Sequence, residues 1–223
     1  MTARTSSEWT ETTLSLATNI LSPMEQSAEP GDVLHVVEPA ASGRAKCRGC
    51  GKPIAKAELR FGERLPNPYG EGEMTLWFHL PCGAFKRPEP FLQALEKPES
   101  RAALATLERA EVDRLRDVAK TGAAHRRLPR VDGAGRAPTG RARCRACRAK
   151  IDKDAWRIGL VYYEEGFFNP AGFIHAGCAR DYLAGGGDDA AAPLGRDEVI
   201  AAIAHFSPEL TEDDLLEIGA EIG

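Results

Sequence analysis

One pattern, C-x2-C, a long gap, then H-x2-C, occurs twice in this chain and uses all six cysteines. In the first copy Cys47 and Cys50 are followed after 28 residues by His79 and Cys82; in the second, Cys144 and Cys147 are followed after 27 residues by His175 and Cys178. A two-residue gap lets both sulfurs of one turn face a single ion, and thiolates suit the borderline softness of zinc, so each set reads as a tetrahedral Cys3His zinc site. Four protein ligands leave no open position for a catalytic water. Two structural Zn2+ ions are therefore expected, each supplying on the order of 10 kcal/mol to the folding of a small module.

Six cysteines also pair evenly as disulfides. Against that reading, the N-terminal residues lack the basic and then apolar pattern of a secretory leader, and no segment approaches bilayer length. A reducing, intracellular setting is expected, where C-x-x-C pairs are more often metal or redox motifs than structural bridges. A redox pair would leave the matched H-x2-C halves unexplained.

The repeat divides the 223 residues into two modules with thin cores. The expected fold class is α+β, each module being a short antiparallel sheet with a long hairpin plus flanking helices. Residues 1–30, rich in Ser, Thr and Glu, read as a mobile tail, and Met24 is a candidate start. Finger one with a helical extension is assigned to 31–120, and finger two with an acidic helical extension to 140–223. Between them, 121–139 has the Gly, Pro, Ala and Arg content of a basic flexible linker. The fingers are expected to be tethered rather than fused.

A net charge of -4 conceals segregation. Residues 44–180 carry 27 Lys or Arg against 16 Asp or Glu, while 1–43 carry one against six and 181–223 one against eleven. An Arg-dominated basic zone around zinc modules is the electrostatic footprint of a phosphate-binding surface. Each module has an Arg three residues before its first ligand, Arg44 and Arg141, and another thirteen residues after it, Arg60 and Arg157. Strand alternation sets Arg60 opposite Leu59 and Phe61, and Arg157 opposite Trp156 and Ile158, so these arginines are expected on the solvent face. The hairpin tips carry Tyr69 in one copy and Phe167 and Phe168 in the other, flanked by Gly, Pro and Glu. Exposed rings there would form a stacking platform for bases. Trp77, two residues before His79, reads instead as packing around the zinc.

The stretches Gly43 to Phe85, with GRAKCRGC, AELRFG and LWFHLPC, and Gly140 to Leu183, with GRARCRAC, AWRIGL and GFIHAGC, resemble the PARP-type zinc finger of poly(ADP-ribose) polymerase and a nuclear DNA ligase. The resemblance implies recognition of DNA strand breaks or ends by structure rather than sequence. It implies that Arg44, Arg60, Arg141 and Arg157 hold phosphates and that Met74, five residues before His79, stacks on an exposed base. Tyr69 lies near a second stacking position. In finger two Pro170 stands where Met74 does, and Phe167 and Phe168 are the candidate substitutes.

Helices are expected after each finger, from Leu104, Leu107, Val112, Leu115 and Val118, and from Val199, Ile200, Ile203, Leu215, Leu216 and Ile218, with Thr211 as N-cap and Asp214 three residues on. The acidic C-terminal helices could also meet a protein partner. No Gly-rich phosphate loop, H-E-x-x-H or spare cysteine points to catalysis, so the chain reads as a binder and not an enzyme. His35, His125 and His205 read as structural or solvent-exposed. Two alternatives stand beside DNA binding, a zinc-stabilised protein-interaction adaptor and a structured-RNA binder. The expected location is the nucleus of a eukaryote or the cytoplasm and nucleoid of a bacterium.

Overall fold

A computed structural model of the chain describes residues 35–124, 130–164, 166–184 and 195–223. The expected N-terminal tail, Met24 and His125 lie outside the described residues. No disulfide links the six cysteines.

In finger one, β1 (Val36–Pro39), β2 (Leu59–Pro66) and β3 (Glu73–His79) form an antiparallel sheet in that order. Alternation sends Phe61, Leu76 and Phe78 into the core and Arg60, Gly62 and Trp77 to the other face. Four helices follow, α1 (Leu80–Lys86), α2 (Pro88–Leu95), α3 (Pro98–Leu104) and α4 (Arg109–Ala124). The first three each carry a proline in the first turn, where its missing N–H costs nothing. These prolines break the region into short pieces that wrap the sheet, with Phe91, Leu115 and Ala119 buried against Phe61 and Phe78.

Finger two repeats the plan with β4 (Arg130–Arg136), β5 (Trp156–Glu164) and β6 (Phe167–His175), again antiparallel in that order. A 3-10 turn (Ala176–Cys178) leads to α5 (Ala179–Ala184), α6 (Arg196–Phe206) and α7 (Glu212–Ile222). Thr211 caps α7 in a reciprocal box with Asp214, as its spacing implied. Val199, Ile203, Ile218 and Ile222 complete this core, while Leu216 faces solvent. The α+β class holds for both modules. Among the described residues, no helix is long and apolar enough to cross a membrane.

The segment expected as a flexible linker is regular at its ends. Residues 121–124 close α4 and 130–136 form β4, which pairs with β5, while 125–129 lie outside the described residues. Nor are the fingers merely tethered, since the described residues of both fall in one compact unit. Aromatics are exchanged across the junction. Phe85 of finger one packs on the finger-two core, and Tyr163, Phe168 and Phe206 of finger two pack on the finger-one core.

A bulge in β6 makes that exchange possible. Leu160 pairs with Gly172 but Val161 pairs with Pro170, so Ala171 is an extra residue, and Gly172 takes the positive φ of 92° that the kink requires. One extra residue puts the side chains before the bulge, Phe167 to Pro170, on the opposite face from the alternation set by Gly172 to His175. Phe168 thereby leaves its own core face and joins Tyr163, with its ring 6.2 Å from Phe78 of finger one. Arg87 lies 3.6 Å above the Tyr163 ring and pairs twice with Glu63, a carboxylate only 1% exposed. Burial, with Glu63 adding to it, pushes the Tyr163 hydroxyl up to about 12.

If finger two completes the core of finger one, Phe168→Ala should lower stability by about 2 to 3 kcal/mol, somewhat less than a fully buried Phe. Urea denaturation followed at Trp77 will show the loss in finger one although the change is in finger two.

Candidate metal centres and nucleic-acid interface

The two zinc knuckles are built alike. In finger one the Cys47 carbonyl accepts the Gly51 N–H (2.8 Å), and the Cys47 N–H donates to Lys52 O (2.8 Å). In finger two the Arg148 N–H and Ala149 O take the same places at 3.0 and 2.9 Å. Gly51 and Arg148 both sit at positive φ, 74° and 65°. Finger one is the tighter, because a Cβ on Gly49 would meet the Cβ of Cys82 at 2.8 Å. Finger two has Ala146 in that place.

Each hairpin delivers its histidine at the end of the third strand, and the following turn of helix brings the last cysteine. Cys47, Cys50, His79 and Cys82 form one group and Cys144, Cys147, His175 and Cys178 another, the donor atoms of each lying within 4.8 Å of one another. His79 Nδ1 is 3.4 Å from Cys50 Sγ and 3.9 Å from Cys82 Sγ; His175 Nδ1 is 3.4 Å from Cys147 Sγ and 3.8 Å from Cys178 Sγ. Tetrahedral zinc, with bonds of about 2.3 Å to sulfur and 2.0 Å to nitrogen, sets such atoms roughly 3.6 Å apart. The Nε2–H of each ring donates to a carbonyl, Pro53 O at 3.2 Å and Lys150 O at 3.1 Å, which leaves Nδ1 as the ligand.

Proton sharing among the thiols also fits a cation. A hydrogen bond from Cys82, with backbone N–H donors of His79, Cys50 and Gly49, lowers Cys47 to about 5, and the same thiol pair raises Cys82. In finger two, desolvation raises Cys144 but the N–H groups of Cys147, His175 and Ala146 outweigh it and bring it to about 6, whereas desolvation and Cys147 push Cys178 up to about 12. Three crowded thiolates need a divalent ion between them. Both groups fit zinc: Cys47, Cys50, His79 and Cys82 would hold one ion and Cys144, Cys147, His175 and Cys178 the other. Bound there, an ion would cross-link loop, strand and helix through these protein donors.

A profile described as the poly(ADP-ribose) polymerase and DNA-ligase Zn-finger region matches residues 38–119. These residues belong to the PARP-type zinc-finger family. Poly(ADP-ribose) polymerase 1 of Gallus gallus is 31% identical over 143 residues, covering 59% of this chain and 14% of the relative. Polynucleotide 3'-phosphatase ZDP of Arabidopsis thaliana is 28% identical over 162 residues, covering 64% of this chain and 23% of the relative. Poly(ADP-ribose) polymerase 1 of Caenorhabditis elegans is 39% identical over 59 residues. The chain spans less than a quarter of the length of these relatives, and the profile covers a zinc-finger region only.

Outside the metal ligands, the candidate contact residues are placed unevenly. Arg44 and Arg141 are exposed as expected. Arg60 is not: it is 8% exposed, pairs with Glu38 at 2.6 Å and lies 3.4 Å over the Trp77 ring. The cause is register, since β1 sets Glu38 beside Arg60 and Gly62 opens the space that Trp77 fills. Trp77 packs against the finger-one core, but from the face away from Phe61 and Phe78, beneath Arg60. Arg157 repeats the arrangement half-buried, 3.8 Å over the Phe173 ring. The repeated Arg-x-Gly of LRFG and WRIG was the available signal, because a glycine two residues on leaves the strand face open for a ring.

The stacking candidates converge. Tyr69 is 82% exposed and Phe167 46%, and both line one groove of about 470 Å³ together with Leu65, Pro68, Met74 and Tyr163. Met74 is half-buried, with the Gly166 turn of finger two against its methyl. Phe168 is withdrawn from this surface into the junction. His35 is buried and accepts the Arg64 N–H at 3.2 Å, and burial lowers its basicity.

The purified chain should carry two zinc ions by inductively coupled plasma mass spectrometry. Replacing Cys47 and Cys50 with serine, or Cys144 and Cys147, should remove one ion in each case.

Proposed function

We propose that this chain binds DNA at strand breaks or ends, by structure rather than sequence, and that its two fingers act as one rigid reader. The observation that carries this reading is the shared groove, where the exposed rings of Tyr69 and Phe167, from hairpins on different fingers, face one apolar space. An apolar platform at the edge of a basic surface suits a base pair whose outer face is uncovered, each stacked base gaining roughly 1 to 3 kcal/mol. A continuous duplex offers no such face. Arg48, exposed and 5.7 Å from the Phe167 ring, sets a positive charge beside the groove.

Arg44 and Arg141 are the phosphate contacts in this reading, being exposed on the loops that lead into the two knuckles. Phosphate contacts position a protein without reading sequence. Arg60 and Arg157 act differently, as guanidinium planes held on rings, which fixes their direction. Membership of residues 38–119 in a zinc-finger family named for a polymerase and a DNA ligase supports the assignment, as does similarity to a polynucleotide phosphatase. No bond-making step is assigned, because the metal groups are filled by protein donors and the chain has no other cysteine.

Fluorescence anisotropy with blunt, nicked and closed-hairpin duplexes tests the proposal. The zinc-loaded chain should prefer open ends or nicks over the closed hairpin. Changing both Arg44 and Arg141 to Ala should weaken binding to every duplex and flatten the salt slope by about 2. Tyr69→Ala with Phe167→Ala should instead remove about tenfold of end preference at an unchanged slope. Equal affinity for open and closed duplexes would sink the reading.

A further inference from the structure

We propose that His205, on the last turn of α6 in finger two, donates a hydrogen bond to the zinc-bound thiolate of Cys82 in finger one, so that zinc retention by the first finger depends on the second. His205 Nε2 lies 3.2 Å from Cys82 Sγ, across 123 residues of sequence. It stands outside the ligand set, since the four donors that lie within 4.8 Å of one another are Cys47, Cys50, His79 and Cys82. A metal-bound thiolate has no proton to give. The contact therefore requires Nε2–H as donor.

Several features hold the ring in place. Gly133 adopts a φ of 100° in an irregular stretch of β4, and a Cβ there would lie 2.3 Å from Ser207 Oγ. The Ser207 hydroxyl fills that gap, accepting the Ala134 N–H at 2.9 Å and donating to Ala134 O at 3.1 Å. This pins the end of α6 to the sheet. His205 then stacks on Phe85 of finger one at 5.5 Å, with Phe206 edge-on at 4.7 Å. Lys86, only 3% exposed, donates to Gly49 O in the finger-one knuckle at 2.6 Å and pairs with Asp132 of β4. Knuckle, helix and opposite sheet are thus joined by one cation and one imidazole.

The donor answers a charge imbalance. Three thiolates on a divalent ion leave excess negative charge, which N–H donors to sulfur offset. Cys47 takes two such bonds from finger one itself, from Gly49 in its own loop and from His79 at the end of β3, both at 3.3 Å. The side chain that answers Cys82 comes from the other finger. In finger two the arrangement is not repeated, as Cys178 is faced by the imidazole of His175 alone among the described residues.

The test uses the full chain loaded with two zinc ions and an excess of chromophoric chelator. His205→Ala should speed one of two release phases by roughly tenfold, the lower end for loss of a partner of a metal ligand, and leave the other unchanged. His205→Phe keeps a ring against Phe85 but has no donor, and should release as fast as Ala. His205→Gln restores an N–H and should fall between them and the parent chain. In the cobalt-loaded Phe variant, the thiolate-to-metal charge-transfer band of one site should move to lower energy. A Phe variant that holds zinc as well as the parent would overturn the proposal by assigning the effect to ring packing. Equal acceleration of both phases would overturn it as general loosening, and wild-type release in all three variants would show that the contact does not bear on the metal.

Discussion

Three thiols and an imidazole nitrogen within 4.8 Å of one another are the constraint on which each finger depends. Such a group is repulsive when ionised and is stable around a divalent ion, so metal binding and folding are one event. What the ion joins is the sharp knuckle at Cys47 or Cys144, the end of the third strand at His79 or His175, and the first turn of helix beyond it. Short strands with few buried side chains gain a fixed corner in this way. The sheet can then give its remaining faces to other work.

That other work differs between the two faces of each sheet. One face is core, with Phe61, Phe78 and Phe91 in edge and tilted contacts at 5.3 to 5.7 Å. The other holds an arginine flat on a ring, Arg60 on Trp77 and Arg157 on Phe173. A guanidinium held this way keeps its charge while losing its freedom, which is how a positive group is aimed rather than merely present. Basic composition alone does not separate aimed arginines from solvated ones.

The junction turns two similar modules into one body. Buried Glu63 pairs with half-buried Arg87 against Tyr163, Lys86 is enclosed by Gly49 O, Asp132 and the Phe206 ring, and Phe85 meets His205 and Phe206. Buried charges of this kind are costly to leave unpaired, so they favour one relative placement of the fingers over many. Rigid placement is also what brings Tyr69 and Phe167 to a single groove.

Much of this was legible in residue order. The ligand sets, the α+β class, the Thr211 and Asp214 cap, the helices that follow each finger and the exposure of Arg44, Arg141 and Tyr69 all follow from local pattern, because spacing within a turn or along a strand is fixed by backbone geometry. Phe168 and His205 were not legible. A one-residue bulge at Ala171 decides which face Phe168 takes, and the contact of His205 with Cys82 arises from the docking of α6. Likewise the Gly, Pro and Arg content of 121–139 suggested free chain, yet 130–136 became a strand because β5 offered it an unpaired edge. The sequence by itself determined what each finger is, since metal ligation and strand alternation are local. Only the tertiary structure decided that the two fingers dock and exchange aromatics between their cores, since pairing between faces depends on twist, bulge and approach that no short stretch of sequence encodes.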